Sequence, residues 1–235
     1  DEVYGIHNWP GLKPGAMVAR DGAMMAAFAT FEISVTGRGS HGAMPHEGAD
    51  PILAASQIVT ALQSIAARNV SPLEAAVVSA TQIHGGDAYN VIPESVVIRG
   101  TTRWFSPAVG DMIEARLGAV ASMVATAMGA SATIDYKRLY PATINTPTKA
   151  ADIRAIAGGL TGLTGEDSAP SMAAEDFAFM LEERPGAYIW LGAARDGDNP
   201  GLHSPRFDFN DAILGDGIRL WRDIAAARLS LIHIS

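Results

Sequence analysis

The chain has 235 residues, 48% of them apolar, no cysteine, and a formal net charge of −8. A chain of this length and apolar content can bury a sizeable core, in one large domain or two small ones, which excludes a disordered polypeptide. Its charges are interspersed, so no basic cluster marks a nucleic-acid or membrane surface; the missing cysteines exclude disulfides and thiolate metal ligands and are compatible with the cytoplasm, where the protein is expected.

In chain order, Tyr4-Gly5-Ile6-His7-Asn8-Trp9-Pro10 reads as a strand running into the turn-forming segment Gly11-Leu12-Lys13-Pro14-Gly15. Asp1 enters that strand almost at once and without an initiator methionine, so the natural chain is expected to begin further upstream. Residues 28–36 alternate, with Phe31, Ile33 and Val35 on one face and Glu32, Ser34 and Thr36 on the other, the period-two pattern of a half-buried strand. Gly37 and Gly39 end it just before His41 and His46. Asp50-Pro51 opens a helix over 51–67, because aspartate accepts from the first free amides and proline suits the first helical position. Strands are predicted over 75–83 and 91–103. Ser106-Pro107 opens a second helix that stops at Gly129, and a strand follows over 132–139. The order βαββαβ is that of a ferredoxin-like unit: a four-stranded antiparallel sheet with both helices on one face, leaving the other face or an edge strand free to dimerise.

From Tyr140-Pro141 the pattern changes. A helix over about 147–163, a short helix around 175–183, a strand at 187–191 and a last helix capped by Asn210-Asp211 suggest an α/β layer. Residues 1–27 complete that layer with 141–229, which makes 28–140 an insertion. Residues 230–235 break the pattern of a finished helix and read as a non-native tail. No apolar run is long enough to span a bilayer.

Three loops place histidine beside turn-forming residues: His7, His41 with His46, and His203. Neutral imidazole is a frequent ligand of divalent ions, although a lone histidine is as readily a satisfied structural residue, and His46 and His84 read more simply as polar loop or strand-end residues. The segments Gly5-Ile6-His7-Asn8-Trp9-Pro10, Ser40-His41-Gly42-Ala43-Met44-Pro45-His46, Asn90-Val91-Ile92-Pro93, Ser171-Met172-Ala173-Ala174-Glu175-Asp176-Phe177 and Leu202-His203-Ser204-Pro205-Arg206-Phe207-Asp208-Phe209 occur in that order. Together, over residues 1 to about 229, they resemble the M20 metallopeptidases, in particular the branch of hippurate hydrolases, N-acyl-amino-acid amidohydrolases and plant hydrolases of auxin conjugates.

The resemblance implies an α/β fold: a partial zinc-exopeptidase-type catalytic layer with an inserted ferredoxin-like dimerisation, or lid, domain. It implies hydrolysis of the amide of small N-acyl amino acids, hippurate-like, to a carboxylic acid and an amino acid, with a divalent metal, two ions per intact site, drawn from zinc, manganese, cobalt or nickel. His7 and His203 match metal ligands. His41 matches the histidine that in relatives reaches into the partner's active site and donates to the developing oxyanion, so that a homodimer through the inserted domain belongs to the mechanism. Asn90 and Arg103 match residues that hold the substrate, and a guanidinium can bond both oxygens of a carboxylate. Glu175 falls in a motif near the metal, and with His46 it is a candidate for a supporting role behind the ligands; a first-turn helix carboxylate is an equally simple reading of it.

The chain departs from the family pattern in two places. Ala173-Ala174 stands where relatives carry Gly-Gly, and two methyl groups would disturb a loop that needs positive φ or close backbone approach. The Cys-Gly-His-Asp-x-His and Glu-Glu motifs that supply the remaining ligands and the general base are absent, which leaves two imidazoles and no carboxylate; the chain is therefore expected to be a fragment of its enzyme. The rival expectations are a non-catalytic dimerising or ligand-binding protein, and an aminopeptidase or dipeptidase of the same family.

Overall fold

The computed structural model describes residues 1–160, 162–165 and 167–229, and the tail expected at 230–235 lies outside them. In chain order it forms β1 (Val3–Trp9), β2 (Ala16–Val18), β3 (Gly22–Met25), β4 (Ala27–Thr36), β5 (Ser40–His41), α1 (Pro51–Ser64), β6 (Ala76–His84), β7 (Val91–Ile92), β8 (Ser95–Trp104), α2 (Pro107–Ala127), β9 (Ser131–Tyr140), β10 (Thr143–Asn145), α3 (Pro147–Gly158), β11 (Thr164–Gly165), α4 (Ala178–Glu183), β12 (Gly186–Gly192) and α5 (Leu214–Leu229). Two compact units result: Ala26–Ala142, and Asp1–Met25 with the described part of Thr143–Ser235. The breaks fall two residues outside the expected 28–140, because Met25 and Thr143 pair with each other in the β3–β10 ladder. Among the described residues no helix is long and apolar enough to cross a membrane.

The unit Ala26–Ala142 is a four-stranded antiparallel sheet in the order β6-β8-β4-β9, the ferredoxin-like arrangement. The alternation read in residues 28–36 places Phe31, Ile33 and Val35 of β4 in one core with Val96 and Ile98 of β8, Ile58 and Leu62 of α1, and Ile113 and Leu117 of α2. Each fully buried isoleucine or leucine there contributes roughly 1.5–3 kcal/mol relative to an exposed one. Asp50 caps α1 as expected, its Oδ1 accepting from Ile52 N at 2.8 Å and Leu53 N at 3.2 Å. Gly100 is required by packing, since a Cβ there would lie 2.1 Å from the Ser79 carbonyl and 2.3 Å from Phe31 Cζ.

Two expectations for this unit need correction. The helix expected to reach residue 67 ends at Ser64 and runs on as a π turn over Ile65–Asn69. The single strand expected over 91–103 is interrupted at Pro93, which has no N–H to give a ladder. Val91 and Ile92 pair instead with His41 and Ser40, making a separate two-stranded ribbon.

In the other unit the strand order is β1-β12-β2-β11, with β1 parallel to β12 and β12 antiparallel to β2. Successive side chains alternate across the layer. One set, Tyr4 and Ile6 of β1 with Ala187, Ile189 and Leu191 of β12, packs against Ile153 of α3 and Leu220 and Ile224 of α5. The opposite set is aromatic: Trp9 stacks on Trp190 with centroids 4.1 Å apart, and Tyr188 joins Phe177 beside Met24 and Met25. Asn145 is fully buried at the end of β10, where Nδ2 donates to Arg20 O and Tyr188 O, both at 3.0 Å, and Oδ1 accepts from Tyr188 N at 2.7 Å. The helix expected to 163 stops at Gly158, and that expected from 175 begins at Ala178, its preceding residues forming turns.

The first strand and the last helix are tied by charge. Glu2 accepts from Tyr4 Oη at 2.7 Å, from Arg228 Nε at 2.8 Å and Nη2 at 2.6 Å, and from Lys149 Nζ, while Arg228 Nη1 reaches Asp152 at 2.9 Å. The Arg228 guanidinium, with Lys149 and Tyr4, overcomes the effect of burial and holds the Glu2 carboxyl down at about 2.

Candidate functional site

His7 lies on the aromatic side of β1, with Trp9 at 6.1 Å nearly edge-on and Tyr188 at 6.3 Å. Its Nδ1 is 2.6 Å from Asn8 O. A carbonyl only accepts, so Nδ1 carries the proton and the neutral ring keeps its lone pair on Nε2, the arrangement of an imidazole ready to act as a ligand or base.

His203 sits in a loop with its own bracing. Its φ is +64°, rare for a residue with a Cβ, at a turn closed by Ser204 N–H to Gly201 O at 3.2 Å. Such a conformation costs of order 1–3 kcal/mol and persists only where its surroundings enforce it. Two nested, largely exposed ion pairs flank the loop, Arg195 with Asp208 outside and Asp198 with Arg206 at 2.8 Å inside. Asn199 ties the loop to the end of β1, its Nδ2 donating to Pro10 O at 2.7 Å and its Oδ1 accepting from Arg195 N at 3.2 Å.

Glu175 bonds the Tyr188 hydroxyl, and its other oxygen accepts from Phe177 N at 3.4 Å. Among the described residues, no three His, Cys, Asp or Glu side chains gather to hold a metal ion. The described residues therefore do not by themselves compose a metal centre.

Within the inserted unit the β5–β7 ribbon brings two expected residues together. His41 pairs with Val91, and Gly42 N donates to Asn90 O at 2.7 Å. His41 Nδ1 accepts from Ala43 N at 3.0 Å, so the neutral ring must carry its proton on Nε2. This is the opposite tautomer to His7: a donor rather than an acceptor is presented. His46 is exposed on the single turn Pro45–Glu47, and His84 Nε2 lies 3.2 Å from Gln82 Oε1.

Arg103 is not with them. It stands near the far end of β8, about 26 Å of strand rise from Ser95, where the ribbon joins the sheet. Its guanidinium lies 4.0 Å over the Phe28 ring, and its cross-strand neighbours are Phe28 and Val77. Every other arginine among the described residues donates to an oxygen acceptor, and Arg103 donates to none. Burial beside apolar neighbours lowers its pKa, as expected for a cation without a counter-ion.

Sequence reasoning missed Tyr188, Phe28, Asn145 and Asn199. Only Tyr188 carried a signal: a hydroxyl-bearing ring inside the otherwise apolar run Ala187–Leu191 needs a buried partner.

Comparison with known proteins bears on the whole chain. It is 37% identical over 214 residues to N-acetyl-L-cysteine deacetylase of Bacillus subtilis (strain 168), covering 91% of this chain and 50% of that protein. It is 32% identical over 234 residues to IAA-amino acid hydrolase ILR1-like 4 of Arabidopsis thaliana, covering 97% of this chain and 53% of that one. The solved structure of Bacillus subtilis YXEP protein, described as a dinuclear metal binding peptidase from M20 family, superposes with a TM-score of 0.81 at 28% identity, covering 97% of this chain and 57% of that one. The chain thus spans about half the length of the curated relatives it matches. A model of peptidase family M20/M25/M40 matches residues 1–227, and the chain belongs to that family.

Proposed function

We propose that this chain is part of an amidohydrolase that cleaves the amide bond of N-acyl amino acids, hippurate-like substrates among them, releasing a carboxylic acid and an amino acid. The observation that carries the reading is the hydrogen-bonding state of His41. With Nδ1 engaged by Ala43 N, the neutral ring offers an Nε2–H donor from an exposed ribbon. A donor of that kind, aimed at the oxygen that becomes an oxyanion as water attacks an amide, stabilises the transition state more than the ground state. Asn90 lies in the turn just before the paired strand, its carbonyl accepting from Gly42 N, and Arg103 supplies a cation with no internal counter-ion, suited to the free carboxylate of an amino acid. The two relatives' names describe an acyl group carried on an amino acid, which is the same chemical class.

The separation of Arg103 from the His41–Asn90 ribbon supports a homodimer. One copy of the inserted unit spans too far along β8 for both ends to touch one small molecule, whereas two copies can offer the ribbon of one and the arginine of the other. His7 and His203 are the two imidazoles this chain offers towards a divalent metal, and the pair expected per intact site, of zinc, manganese, cobalt or nickel, needs donors beyond them. The cytoplasm is the proposed location.

The test joins this chain to the half of the Bacillus subtilis deacetylase that it does not cover and measures release of free amino acid from N-acetyl and N-benzoyl amino acids. His41→Ala is expected to lower kcat by about 10²–10³-fold, and Arg103→Ala to raise KM for acids while leaving the corresponding amides unaffected. Near-normal turnover in His41→Ala sinks the reading. Faster cleavage of dipeptides with a free amine would make the protein a peptidase, and no turnover with any of the four metals would leave a ligand-binding or dimerising role.

A further inference from the structure

The Glu175 carboxylate, which the reading above leaves without a task, belongs to a packed cluster around one phenol. Tyr188 is 4% exposed and packs in a cluster with Met24, Met25 and Trp190. Phe177 lies with its ring centroid 5.5 Å away. Gly5 approaches so closely that a Cβ there would stand 2.9 Å from Tyr188 Cδ2 and 3.3 Å from Phe177 Cδ2, which is why the position two before His7 is glycine. The hydroxyl is held by Glu175 Oε2. A carboxylate acceptor makes that bond charge-assisted and strongly directional. Burial, and then the adjacent Glu175 carboxylate, push the phenol's ionisation up, so the hydroxyl remains a donor at every physiological pH.

The alternative role for Glu175, capping α4, is weak in this geometry. Its contact with Phe177 N is 3.4 Å, at the long limit for such a bond, and the helix starts only at Ala178.

The phenol's next aromatic neighbour is His7, with ring centroids 6.3 Å apart. Gly5 pairs with Tyr188 and His7 with Trp190 across the parallel ladder, so Tyr188 projects on the same side as His7, into the space that Gly5 leaves. The imidazole is flanked by Tyr188 at 6.3 Å, tilted 55°, and by Trp9 at 6.1 Å, at 75°. Two aromatic rings thus neighbour the imidazole, whose Nδ1–H is held by Asn8 O at 2.6 Å.

We propose that Tyr188 and Glu175 are positioning residues for His7: the carboxylate anchors the phenol, and the anchored ring holds the imidazole in the orientation that keeps Nδ1 protonated and Nε2 presented. This rests on the reading that His7 Nε2 is the working atom, but it is tested without measuring hydrolysis, so the two can fail separately.

The experiment is long-range ¹H–¹⁵N correlation of the imidazoles in the 235-residue chain, with His7 assigned through His7→Gln. The wild type is expected to show the Nδ1–H tautomer for His7. Tyr188→Phe keeps the ring and removes the hydroxyl, and Glu175→Leu removes the acceptor. Each is expected to move the His7 ring signals and raise the minor-tautomer fraction several-fold, with the His41 and His203 signals unmoved. Glu175→Gln keeps an acceptor oxygen and is expected to restore the wild-type pattern. Unchanged His7 signals in Tyr188→Phe overturn the proposal, as does a Gln variant that behaves like Leu, or a shift shared by all the histidines, which would mark general loosening. Should Glu175→Leu fail to fold, Tyr188→Phe decides alone, because it preserves the packed volume.

Discussion

The two units display histidine by different physical means. In Ala26–Ala142, His41 and Asn90 meet in a ribbon of two-residue strands, and the ring's tautomer is set by a backbone amide two residues away. In the other unit, His7 and His203 come from opposite ends of the sequence; one sits on a strand beside aromatic neighbours, the other at a positive φ in a loop that two ion pairs and Asn199 flank. Presenting a hydrogen-bond donor needs only local pairing. Assembling a metal centre needs convergence of elements distant in sequence, and among the described residues no three His, Cys, Asp or Glu side chains converge.

Damage to each unit is expected to stay within it. Gly100→Val places methyl groups against the Ser79 carbonyl and the Phe31 ring in the inserted sheet. We expect a loss of about 3 kcal/mol in urea unfolding, at the upper end of what overpacking costs. Faster hydrogen exchange confined to residues 26–142 would sharpen the comparison, and an equal loss of protection in β12 would break it by making the chain one cooperative body.

Asn145→Ala probes the other unit. It removes three buried bonds to Arg20 and Tyr188 and leaves their backbone groups unpaired, which is expected to cost about 2–3 kcal/mol by the same measurement. Protection should fall first around Tyr188.

The smallest effect is electrostatic. Glu2 is held down at about 2, chiefly by its bonds to Arg228, against an ordinary value of 4.5. A depressed carboxyl contributes stability that is fully present above pH 4.5 and is lost as pH falls through 2. The melting temperature of Glu2→Gln should lie a few degrees below wild type at pH 7, with the gap closing as the pH is lowered from 4.5 towards 2. A gap independent of pH would assign the network no role.

The ferredoxin-like unit was legible because its signals are local: the alternation of 28–36, the Asp50 cap, and helices bounded by Pro51, Pro107 and Gly129. Its misreading at Pro93 came from treating a run of apolar residues as one strand when a missing N–H divides it. The short strands β2, β3, β10 and β11 carry too few residues to show a period, and they exist only because partners far along the chain supply their bonds. Of the candidate site residues, His7, His41, Asn90 and His203 stand in the motifs that carry the resemblance and Arg103 outside them, whereas the contacts of Tyr188, Asn145 and Phe28 are with residues many positions away. Glu175 was visible as a residue but not as a partner, since nothing in a sequence pairs it with a phenol on β12.

The pairing of Met25 with Thr143 has a consequence for how such a chain can change. The polypeptide leaves for the inserted unit and returns from it on facing rungs of one antiparallel ladder, where Cα atoms lie about 4.5–5.5 Å apart. A two-residue reverse turn could close that gap. Topologically, everything from Ala26 to Ala142 hangs from a hairpin, so the unit could be deleted, exchanged or transplanted as a cassette while the thread of the remaining layer stays as it is.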